Sequence, residues 1–102
     1  MFRLNNDRWS IKFVQSFDPI LKTNNDKYTI GICDDQTKTI YLNDQLKGKQ
    51  LKKVLCHEIV HCAMFSYNVF LTSEQEELLA DLIATYGEEI ICVTNKIFRK
   101  LR

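Results

Sequence analysis

No stretch of this chain approaches the ~20 consecutive apolar residues that a membrane span requires, and none is expected to cross one. The opening Met1-Phe-Arg-Leu-Asn-Asn-Asp has no apolar run of the kind a secretory signal carries. An excess of either charge is missing as well: 14 Lys and Arg stand against 13 Asp and Glu, for a formal charge of +1. That balance gives no reason to expect nucleic acid as a partner. No Cys-x-x-Cys occurs among Cys33, Cys56, Cys62 and Cys92. Without a knuckle spacing or a secretory signal, the four read as free thiols in a reducing cytoplasm. Repeats, linkers and low-complexity segments are also lacking. What remains is a chain of 102 residues, 45% hydrophobic and 26% charged. It is large enough for one globular domain over residues 1–102, with no room for a separate substrate-binding domain.

Histidine is scarce, and its placement carries the signal. The only two lie four apart in the order His57-Glu58-Ile-Val-His61. On a helix, residues three and four apart share a face, and at about 100° per residue these three side chains fall within one arc. Two imidazoles one turn apart can grip a single ion, and the carboxylate beside them reaches a water on that ion. This is the zinc-protease pattern, with Glu58 as general base and one Zn²⁺ per chain. Between Val54 and Phe65 only these three residues, the cysteines aside, are ordinarily ionisable. Ionisable groups in so apolar a helix need partners or a metal.

The rest of the pattern is that of a small α+β domain. Trp9, Ile11 and Phe13 alternate with polar residues, as do Tyr28, Ile30 and Ile32, and then Ile40 and Leu42. These periods predict three half-buried strands forming a small, mainly antiparallel sheet. A helix follows from about Gly48 to Ser66 and holds the histidines. Ser73-Glu-Gln-Glu76 has the form of a capping box that starts a second helix near Glu74. Leu79, Ile83, Tyr86, Ile90, Val93 and Ile97 then make a continuous stripe to about Phe98, with a bend expected at Gly87. Tyr86 is expected in the core. The strand just before the histidine helix is expected to border the cleft and could offer an edge to an extended peptide.

A zinc site that keeps one position open for water needs three protein ligands. With both histidines used, a carboxylate must be the third, and Glu74, Glu76 and Glu77 are available. Asp81 is the one charge within Leu78-Leu-Ala-Asp-Leu-Ile-Ala84 and lies one turn from Glu77. The small Ala80 and Ala84 beside them allow close helix approach. The consistent arrangement puts Glu77 on the metal and has Asp81 accept the N–H of a ligand histidine. The plainer alternative leaves Glu77 a surface acid and Asp81 a hydrogen-bonded structural residue. Cys33 is the cysteine that could close the fourth position of a purely structural site, and Tyr67 is placed plausibly to help hold a developing oxyanion.

His57-Glu-Ile-Val-His61, followed by Glu77-x-x-Ala80-Asp81-x-x-Ala84, resembles gluzincin-type metallopeptidases. Closer still, it is similar to the compact ImmA/IrrE-type metallopeptidase domain of phages and mobile elements, over about Tyr28 to Tyr86. The order of strand, metal helix and acidic helix agrees with that family. Val60 stands where the family motif often has glycine, and the family's frequent helix-turn-helix domain is missing. The resemblance implies a minimal zincin-like fold and a peptidase whose partner is a protein or peptide substrate, with a repressor as the suggested target. A metal-binding interaction module without catalysis is the alternative.

Overall fold

The computed structural model describes residues 1–101. The chain forms β1 (Phe2–Leu4), β2 (Asp7–Val14), a 3-10 turn (Pro19–Leu21), β3 (Gly31–Asp34), β4 (Thr39–Asn43), α1 (Gly48–Ser66) and α2 (Ser73–Leu101). The architecture is α+β as expected, but the sheet has four strands and is mixed, in the order β1-β2-β4-β3.

The added strand comes from a tight hairpin. Asn5 and Asn6 both adopt positive φ, 46° and 72°, the conformation of the two-residue turns that match strand twist. Asparagine tolerates it because its short polar side chain can bond locally. That turn pairs Phe2 with Trp9 and Leu4 with Asp7 in antiparallel register. The mixed character comes from β2 and β4, which run parallel with Ser10 opposite Thr39 and Val14 opposite Asn43. Parallel neighbours require a long crossover, and residues 15–38 supply it. Within that crossover β3 turns back and pairs antiparallel with the outer side of β4. The strand bordering the cleft at the sheet edge is therefore β3, and β4 is interior.

Side-chain alternation holds only partly. Trp9, Ile40 and Leu42 are fully buried, whereas Phe13 at the far end of β2 is 53% exposed. Tyr28 and Ile30 precede β3, which begins only at Gly31, and both are exposed. Trp9, Ile40, Leu42, Leu46 and Cys62 form the core, with Val54, Leu55 and Ile59 of α1 packed against it. Ser66 at the end of α1 joins the helix to the sheet. Its hydroxyl accepts from Trp9 Nε1 at 2.8 Å, and its carbonyl accepts from Asn5 Nδ2 at 2.8 Å.

A capping box does open α2, one residue earlier than the sequence suggests. Thr72 Oγ1 accepts from the Gln75 amide at 3.2 Å, and Gln75 Oε1 accepts from the Thr72 amide at 3.0 Å. Ala80 is buried, and Ala84 and Gly87 are half-buried on the same face. The helix continues without interruption through Gly87. Past Lys52–Glu88, a surface ion pair at 2.9 Å, every residue from Glu89 to Leu101 is exposed. Tyr86 is 55% exposed and is not a core residue. Among the described residues, no helix is long and apolar enough to cross a membrane.

Candidate metal centre

One turn of α1 and the first two turns of α2 build this site. His57 and His61 project from the same face of α1, with ring centroids 4.9 Å apart and their Nε2 atoms 3.2 Å apart. The Glu77 carboxylate of α2 straddles them. Its Oε2 is 3.2 Å from Nε2 of His57, and its Oε1 is 2.9 Å from Nε2 of His61. These three residues offer ligand atoms all within 4.8 Å of one another, and among the described residues no other such group of His, Cys, Asp and Glu converges.

The far side of each imidazole determines what the near side can do. His57 Nδ1 is 3.0 Å from Asp81 Oδ1, and His61 Nδ1 is 2.6 Å from Glu76 Oε1. An ionised carboxylate only accepts, so each Nδ1 must carry the proton. In a neutral ring the Nε2 lone pair is then free and points at its counterpart and at Glu77. With both rings neutral, two nitrogen acceptors and two carboxylate oxygens meet with no proton between them, an arrangement that a bound cation satisfies. The spacing suits one as well. Ligand bonds of ~2.0–2.1 Å in a tetrahedral zinc site imply edges of about 3.3 Å, close to the 3.2 Å between the two Nε2 atoms, while Glu77 reaches each Nε2 through a different oxygen, at 3.2 and 2.9 Å. The cluster can hold a metal ion.

Glu58 sits beside the histidines but belongs to a drier layer. It is buried against β3, where a Cβ added to Gly31 would lie 3.3 Å from Glu58 Cγ and 3.0 Å from Val54 Cγ1. Glycine there is what lets the strand approach α1 closely enough to enclose the carboxylate. Burial pushes the Glu58 carboxyl above the ordinary carboxylate range, His61 and His57 oppose the rise, and Glu77 adds to it. An open cleft of ≈ 350 Å³ runs over the site, walled by Gly31, Ile32 and Cys33 of β3 and floored by His57, Glu58 and His61.

The structure brings His57, Glu58, His61, Glu77 and Asp81 together and leaves Glu74 on the exposed surface. Cys33 does not join the metal cluster. Its Sγ lies 3.1 Å from Sγ of Cys62, and that contact, with burial, holds its thiol well above its usual range. Tyr67 caps α1 from a position 54% exposed and is not among the residues lining the cleft. Glu76, read from the sequence as a cap partner for Ser73 and as one of three available ligands, instead faces Nδ1 of His61. A usable signal existed, because two ligand histidines need two Nδ1 acceptors and Asp81 serves only one.

Compared with known proteins, the chain matches no family model, no curated protein and no solved structure.

Proposed function

We propose that this chain is a zinc-dependent peptidase of the compact ImmA/IrrE-like kind. The observation that carries the proposal is the acceptor cage of His57, His61 and Glu77 with a buried carboxylate, Glu58, beside it in an open cleft. Two histidines and a glutamate are the donor set of catalytic zinc, which keeps one position for water or substrate. Zinc held there supplies Lewis-acid polarisation of a carbonyl and acidifies water.

The other roles belong to the chain's own residues. Glu58 takes a proton from the attacking water and delivers it to the departing amine. Its raised pKa makes it a stronger base than an exposed glutamate, and the two imidazoles moderate that rise so that the carboxylate can still ionise. Asp81 and Glu76 hold the imidazoles in the tautomer and orientation that leave Nε2 free. The substrate is a protein segment in extended form. The cleft is open, and β3 presents a sheet edge along one wall, on which a peptide can add as a further strand. The family resemblance suggests a repressor as the source of that segment.

Glu58→Gln tests the proposal. The amide keeps the size of the side chain and removes the base. The variant should retain one zinc per chain and lose peptide hydrolysis by a factor on the order of 10² or more. Repressor-like proteins encoded beside it are the first substrates to try. If the parent cleaves and the variant only binds, the trapped complex identifies the substrate. If both bind the same protein and neither cleaves it, the chain is a metal-binding interaction module.

A further inference from the structure

The end of α2 takes no part in the site or the core. From Glu89 to Leu101, α2 projects past its packing on α1 with every side chain exposed. That projecting stretch is not polar. Ile90 is 52% exposed, Val93 47%, Ile97 52% and Phe98 59%. Apolar surface gathered in this way on one element marks an interaction site.

The spacing of the stripe specifies what covers it. Leu79, Ile83, Tyr86, Ile90, Val93 and Ile97 follow intervals alternating between four and three. That is a seven-residue repeat with Ile83, Ile90 and Ile97 at one core position and Leu79, Tyr86 and Val93 at the other, sustained over about three heptads. A period of 3.5 residues keeps the stripe in register along another supercoiled helix. The stripe lies about 110° round the helix from the Ala80, Ala84 and Gly87 face that meets α1. It is about 180° from the Glu77 and Asp81 edge, so covering it leaves the metal centre open.

We propose that the stripe seats against the same stripe of a second copy of this chain, with the two α2 helices antiparallel. Charge sets the direction. Glu88 and Glu89 lie midway along α2, and Lys96, Arg99 and Lys100 lie towards its end. A parallel pair would bring the basic ends together. An antiparallel pair centred between Ile90 and Val93 places Glu89 of each copy alongside Lys96 of the other, twice by symmetry. The paired segment from Tyr86 to Ile97 is about 17 Å long.

Sedimentation equilibrium of the full chain, with zinc stoichiometry measured in parallel, tests this. The parent should dimerise in the micromolar range. Ile90→Glu with Ile97→Glu should be monomeric with zinc unchanged, since both residues are exposed and neither lines the metal cleft. Glu89→Lys or Lys96→Glu alone should weaken association by about 3- to 30-fold, as two exposed ion pairs are worth. The two reversals together should restore it. A parent that stays monomeric overturns the proposal and assigns the stripe to a different partner, as does a dimer indifferent to the isoleucine changes. A dimer lost with the isoleucines but indifferent to charge reversal overturns the antiparallel arrangement.

Discussion

Replacing Glu76 by alanine should weaken metal binding more than replacing Asp81, although only Asp81 is singled out by sequence. Both carboxylates accept from the Nδ1 of a ligand histidine, but their settings differ. The Glu76 contact to His61 is 2.6 Å with the carboxylate side chain 21% exposed, whereas the Asp81 contact to His57 is 3.0 Å with 67% exposed. Water can replace the exposed partner at little cost. It is a poorer substitute for the shorter, more enclosed one. Losing a carboxylate that orients a ligand histidine costs roughly 10–100-fold in metal affinity, which is about 1.4–2.7 kcal/mol. Glu76→Ala belongs near the upper end of that range and Asp81→Ala near the lower. Glu76→Gln keeps an acceptor oxygen and should recover much of the loss, and Glu74→Ala should have no effect. Competition for zinc with a chromogenic chelator gives the affinities, and circular dichroism checks that each variant is folded. Equal affinity in parent and Glu76→Ala, or a larger loss in Asp81→Ala, would refute the reasoning.

In the metal-free protein, Glu58→Gln should change how stability depends on pH. Burial raises the folded-state pKa of Glu58, so the protonated form fits the fold. The associated stability is present below the ordinary carboxylate pKa and declines as pH rises through the raised value. The amide lacks that decline, so the variant should gain on the parent towards neutral pH and lose the advantage in acid. Denaturant titrations at several pH values measure this, and parallel pH profiles would contradict the burial argument. Gly31→Val should lower the thermal midpoint through about 1–3 kcal/mol of overpacking, because even a Cβ there meets Val54 at 3.0 Å and Leu42 at 3.3 Å. An unchanged midpoint would mean that α1 does not press on β3 as described.

Local chemistry makes part of this protein legible without coordinates. The order of strands and helices, the span of α1 and the pairing of His57 with His61 follow from periodicity, because one face of one element must be apolar or must carry ligands. Asp81 is readable as the lone charge within Leu78 to Ala84, one turn from Glu77, although its side chain is 67% exposed in the fold. The four-stranded mixed sheet is a different case. Whether β2 pairs with β3 or, in parallel, with β4 depends on how the crossover at residues 15–38 folds back, which no short window of sequence records. The hairpin at Asn5-Asn6 does have a local signal, but a three-residue strand is too short to show alternation. Glu76 was misassigned because Ser73-Glu-Gln-Glu satisfies a capping rule that Thr72 and Gln75 satisfy equally well. A one-residue shift on a helix turns a side chain by about 100°, and only the packing of α2 on α1 decides that shift. That packing sends Glu76 to the imidazole of His61 and leaves the isoleucine stripe of α2 facing solvent.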